Sequence, residues 1–136
     1  MGNPHCVLFV ESKEAMMQFP LKQEGTVIGN EEIFPEGVNV EVVWVQDAGH
    51  LWMRVWERGC GETFACGTGA CAAVAAAMRQ KKCGASVLVR MTGGELPLSD
   101  RTGRGNLPWE VWINCVFNCE KIPKITFGSS DKSFFC

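Results

Sequence analysis

Along most of the chain, apolar and polar positions alternate in short runs that are broken by Gly, Pro and Asn. Val38, Val40, Val42 and Trp44 alternate with Asn39 and Glu41, and after Asp47-Ala48-Gly49 the residues Leu51, Met53 and Val55 alternate with Trp52, Arg54 and Trp56. A period of two marks strands, because successive side chains leave a strand on opposite faces. Two such runs separated by a polar, Gly-containing break predict a hairpin, which sets Asn39 and Glu57 on neighbouring strands. Further strands are expected over 6–11, 86–92, 95–99 and 110–118. The period changes over 68–80, where Ala70, Cys71, Ala72, Ala73, Val74, Ala75, Ala76, Ala77 and Met78 leave no polar face. A helix apolar on every side must be buried all round, and small side chains let strands approach it closely, so a sheet curled around one central helix is expected. A second helix is expected over 13–23, cut by Pro20.

Composition narrows the class. The chain has 136 residues, 46% of them hydrophobic, enough for one core. A formal charge of -2 and a pI near 5.7 give no electrostatic basis for binding nucleic acid or an anionic membrane. The basic run Arg79–Lys82 falls where the helix should end and complements its dipole. There is no apolar run of the roughly 18 residues that spans a bilayer, and no secretory signal is evident, so a cytoplasmic location is expected. The 8 cysteines lie in strand and helix contexts beside a composition that needs no staples, and are read as reduced. Neither Cys115–Cys119 nor Cys66–Cys71 has the close Cys-x-x-Cys spacing of structural zinc, and the only histidines are His5 and His50, so no metal is expected.

The densest chemistry lies between Glu57 and Ala73, where Cys66 directly precedes a Gly67-Thr68-Gly69 turn that opens the helix. Helix N-termini present unpaired N–H groups and partial positive charge, which stabilise a thiolate or a bound carboxylate. Gly67 and Gly69 allow close approach of a bound group, and the Thr68 hydroxyl suits a cap or a substrate donor. Read on residue type alone, Cys66 is equally compatible with a buried structural thiol.

The segment ERGCGETFACGTGACAA closely resembles the signature around the second catalytic cysteine of the diaminopimelate epimerases. MGNPHCVLFV (Met1–Val10) resembles the segment that opens the C-terminal half of those enzymes, and FPEGVNVEVV (Phe34–Val43) a third segment, in the expected order. Proline racemase-like proteins share the Cys-Gly-Thr-Gly turn without this long segment, and phenazine-biosynthesis relatives carry a carboxylate where Cys66 stands. The resemblance implies an α+β fold, a strongly curved, barrel-like mixed β-sheet wrapped around a central Ala-rich helix. It covers a single domain over 1–122, followed by a tail over 123–136. It also implies inversion at one α-carbon of diaminopimelate, between the LL and meso forms, by two-cysteine proton transfer with no cofactor or metal.

By the same resemblance Cys66 is the second thiol, and Gly67 and Thr68 hold the reacting α-carboxylate. Asn3, Asn39, Glu57 and Arg58 bind the polar ends of the substrate, and His5 is an auxiliary histidine beside the catalytic cysteine. Without the family, Glu57 and Arg58 would be an ordinary charged strand end, Asn3 and Asn39 turn or edge residues, and His5 a packed or surface histidine. Glu62 matches a variable position and is left out of the site. The family joins two similar halves, each with one cysteine. This chain has the length of one half and begins inside the GNPH segment, so the second-cysteine half alone is expected. It could pair with an N-terminal half that supplies the other thiol, bind an amino acid without turnover, or be a truncated remnant that hides its cleft face as a homodimer.

Overall fold

The computed structural model describes residues 3–100 and the strand Phe134–Phe135. In chain order the elements are β1 (His5–Val10), α1 (Lys13–Gln18), α2 (Leu21–Gly29), β2 (Asn39–Asp47), β3 (His50–Glu57), β4 (Gly61–Thr63), α3 (Gly67–Arg79), β5 (Ser86–Met91), β6 (Gly94–Ser99) and β7 (Phe134–Phe135). The expected hairpin is β2–β3, antiparallel with a register shift between Val45 and Asp47. Its turn is held by the Asp47 carboxylate, which accepts from the Gly49 N–H at 2.8 Å. The helix broken at Pro20 is two helices, α1 and α2. Ser12 caps α1 by accepting the Ala15 N–H at 3.0 Å.

The sheet is mixed, in the order β6-β5-β3-β2-β1-β7, with β4 against β3. β1–β2 and β3–β5 are parallel, and each parallel pair is joined by a helical crossover, α1 and α2 for the first and α3 for the second. The two crossovers cover opposite faces. Val7 and Phe9 of β1, Val43 of β2, Leu51, Met53 and Val55 of β3, and Val87 and Val89 of β5 form one core with the alanines of α3. Cys6 and Leu8 of β1, and Val40 and Val42 of β2, form a second core with Met16, Phe19, Leu21 and Ile28 from α1 and α2.

This corrects the expected barrel. Among the described residues the sheet is neither closed nor strongly curled. Both faces of β1 and β2 carry apolar side chains, and burying both requires helices on two sides rather than a sheet wrapped around one. The helix itself is as expected: Ala70, Ala73, Val74, Ala76 and Ala77 are fully buried. Alanine combines high helix propensity with a small side chain, so α3 can lie close to the strands.

Two contacts fix the second layer. The Arg54 guanidinium donates to the carbonyls of Met16, Met17 and Phe19 at 2.8, 3.0 and 3.0 Å, satisfying the C-terminal end of α1. Its other edge grips both oxygens of Glu62 on β4, at 2.8 and 3.1 Å. Gly25 lets α2 lie against Trp56, since a Cβ there would sit 2.5 Å from the indole Cγ. The strand expected over 110–118 lies outside the described residues. So does the tail expected over 123–136, apart from β7, which pairs antiparallel with Val7 and Leu8. Among the described residues, no helix is long and apolar enough to cross a membrane.

Candidate functional site

Strand alternation decides which polar side chains meet α3. His5 on β1, Asn39 and Glu41 on β2, and Glu57 on β3 share the parity of the residues packed against α3. They lie at the end of the strands where α3 begins. Asn39 is in direct register with His5, and Glu57 is reached one residue beyond the Val40–Trp56 pair.

Helix α3 starts at Gly67, one residue earlier than expected, and its N-cap is Cys66, with an extended backbone at φ -144° and ψ 108°. The cap role expected for Thr68 belongs to the thiol. Cys66 Sγ accepts the Gly69 N–H at 3.4 Å and lies 3.4 Å from the Thr68 hydroxyl. The Ala70 N–H goes to the Cys66 carbonyl at 2.9 Å. Early N–H groups of a helix have no intrahelical acceptor, so those of Gly67 and Thr68 remain at the exposed tip. Cys66 is 8% exposed. The segment entering it is pinned by the Gly93 N–H, which donates to the Phe64 carbonyl at 2.7 Å.

Behind the tip lie two buried ionisable side chains. His5, 2% exposed, places Nδ1 at 2.7 Å from Oε1 of Glu41, which has no exposed surface. Burial pushes the Glu41 carboxyl up, and the hydrogen bond from His5 pulls it partly back. Among the described residues no hydrogen bond joins His5, the histidine expected beside the thiol, to Cys66. Sequence reasoning passed over Glu41, which lies two residues after Asn39 on the same strand face.

Asn3, Asn39 and Arg58 form a second group. Arg58 donates through its backbone N–H to Asn39 Oδ1 at 2.9 Å, and through its guanidinium to the Asn3 amide oxygen at 2.7 Å and the Glu36 carbonyl at 2.8 Å. These acceptors are neutral, and among the described residues no carboxylate pairs with Arg58. Among the described residues the buried Asn39 amide nitrogen has no hydrogen-bond partner. Glu57 accepts a short hydrogen bond from the Thr63 hydroxyl. Glu62, left out of the site, is held by Arg54. A cavity of about 690 Å³ is lined by Glu31, Glu36, Trp56 and Arg58, among others, and Cys66 is not in its wall. Cys66 is itself buried, between exposed Ala65 and exposed Gly67 and Thr68. All eight residues singled out from the sequence therefore fall in two linked groups around one end of the sheet.

A family model for diaminopimelate epimerase matches residues 1–107. The diaminopimelate epimerase of Leptospira biflexa serovar Patoc (strain Patoc 1 / Ames) is 48% identical over 96 residues, which are 71% of this chain and 33% of that protein. The diaminopimelate epimerase of Pelotomaculum thermopropionicum is 47% identical over 96 residues, again 71% of this chain and 33% of that protein. A solved phenazine biosynthesis protein of the PhzF family from Bacillus anthracis shares the fold, with a TM-score of 0.54 at 19% identity, covering 76% of this chain and 33% of that one. The chain belongs to the diaminopimelate epimerase family. It spans a third of the length of the curated relatives it matches.

Proposed function

We propose that this chain is the C-terminal, second-cysteine half of a diaminopimelate epimerase, and that it works when an N-terminal half closes over the tip of α3 and supplies the opposite thiol. Cys66 then removes or delivers the α-proton on one face of the substrate while the partner thiol does the reverse on the other. An α-proton flanked by an ammonium and a carboxylate is only weakly acidic, so charge developing on the carboxylate has to be stabilised. The N–H groups of Gly67 and Thr68 at the start of α3 suit that task, being fixed by the helix before the substrate arrives. Arg58, already oriented by Asn3, offers a guanidinium to the distal carboxylate. Asn39 offers its unmatched amide N–H, and Glu57 takes the ammonium.

The observation that carries this reading is the position of the Cys66 sulfur. It caps the helix whose leading amides face outward, so one turn can hold a thiolate and a carboxylate side by side. The Arg58 charge, which among the described residues meets only neutral oxygens, supports it independently.

Mixing this chain with an N-terminal half from a full-length relative, such as the Leptospira biflexa epimerase, tests the proposal. Conversion of LL- to meso-diaminopimelate should appear with the mixture, saturate with the added half, and vanish in Cys66→Ser. No conversion across a concentration series of both chains would refute it. Calorimetry separates the binding-only alternative: meso-diaminopimelate bound by the chain and lost in Arg58→Ala, without conversion in the mixture, would mark a binding wall.

A further inference from the structure

Glu41 breaks the pattern of its surroundings. It lies on a sheet face covered by an alanine helix, where an apolar side chain would pack without desolvating a carboxyl. Its Oε1 meets His5 Nδ1 at 2.7 Å, while Oε2 is buried with no hydrogen-bond partner among the described residues. Its other neighbour is the tip of α3. A Cβ built on Gly69 would sit 2.8 Å from Glu41 Oε1, 3.3 Å from Glu41 Cγ and 3.3 Å from Cys66 Sγ. The carboxyl and the thiol thus press on the same bare α-carbon, no farther apart than the sum of the two atom distances, and only glycine leaves room for both. Gly69 is also the residue whose N–H donates to the sulfur. Where local rules are broken in a well-packed core, a functional constraint is the expected cause.

We propose that Glu41 is a positioning residue of the Cys66 site: it holds the His5 imidazole in one orientation and tautomer, and His5 acts on Cys66 only through it. The proposal rests on the reading of Cys66 as the reacting thiol. The physical link is charge. Buried beside the helix tip, an ionised Glu41 opposes a thiolate at Cys66, whereas a Glu41 that shares a proton with His5 does not. The groups facing Glu41 are His5 from β1, Glu57 from β3, the start of α3 at Gly69 with its Cys66 cap, and Cys6, whose thiol is itself pushed up by burial and by the Glu41 charge.

Alkylation of the whole chain by iodoacetamide, followed at each cysteine by mass spectrometry over pH 6–9, tests this in wild type, His5→Gln, Glu41→Gln and the double variant. His5→Gln, which leaves the Glu41 charge without its proton partner, should slow Cys66 by about fivefold or more, and the double variant, which also removes that charge, should return the rate to within about twofold of wild type and of Glu41→Gln. The rate at exposed Cys60 should stay within about twofold. An unchanged rate in His5→Gln, or a double variant as slow as His5→Gln, would overturn the proposal. Should Glu41→Gln fail to fold, the wild type still decides it. With only two histidines, long-range proton–nitrogen spectra resolve the His5 ring, which should show one tautomer; a mixture of tautomers refutes the locking role. Wild-type Cys66 reacting no faster than Cys71 would refute the reading of the thiol and this inference with it. A fast Cys66 whose rate the double variant does not restore would refute the inference alone.

Discussion

Among the cysteines, burial and position separate the thiols sharply. Burial pushes Cys83 up to about 11 and raises Cys71, the latter also through the nearby Cys66 charge. At pH 8 Cys83 should therefore alkylate at least about tenfold more slowly than exposed Cys60, which peptide mass spectrometry can read directly. Glu41 gives a pH signature in stability. Its carboxyl is raised from 4.5 in the fold, so the protonated form is the one the fold favours; that contribution is fully present below 4.5 and lost as pH rises through the folded value. Relative to wild type, Glu41→Gln should gain stability as pH rises from 4 to 8, by about 1.4 kcal/mol for each unit that the carboxyl is raised. Urea unfolding at several pH values checks this, and a pH-independent difference would contradict it. Cys66, Gly67, Thr68, Asn39 and Arg58 were legible because their motif is long and ordered. Glu41 was not, because alternation alone pairs it with Asn39 on a face that could equally have been solvent. Only the covering of both sheet faces makes it a buried acid.

Among the elements, the close approaches carry the energetics. Alanine is a better helix former than glycine by about 1 kcal/mol, yet Gly25→Ala should destabilise by roughly 1–3 kcal/mol, because the new Cβ would enter the Trp56 ring. Arg54→Ala removes the donor to the α1 carbonyls and the grip on Glu62 together. It should cost roughly 1.5–3 kcal/mol in denaturant unfolding, with α1 losing amide protection first. The period of two gave the β2–β3 hairpin, and Pro20 gave the break between α1 and α2. The cap on α1 was hidden, since Arg54 reads in the sequence as one more polar strand residue. β4, with its three residues Gly61–Thr63, is too short to show any period.

For the molecule as a whole, the departure from a barrel follows from where apolar residues sit. The sequence shows that α3 has no polar face, which suggests a sheet around it. It does not show that Cys6, Leu8, Val40 and Val42 need a cover of their own, which α1 and α2 supply on the far side. The result is a layered unit in which α3 is enclosed along most of its length, while Gly67 and Thr68 at its leading tip are exposed beside the buried Cys66 cap. Under the proposed function that tip is one wall of a site; acid–base inversion needs a second proton carrier opposite, and water has to be excluded from between them.

The most direct test of Cys66 as the proton carrier is deuterium entry at the α-carbon of meso- and LL-diaminopimelate in D2O, measured by mass spectrometry on this chain mixed with an N-terminal epimerase half. Exchange should depend on both chains and fall by at least about 100-fold in Cys66→Ser. Exchange that continues unchanged in Cys66→Ser would show that the proton does not pass through this sulfur.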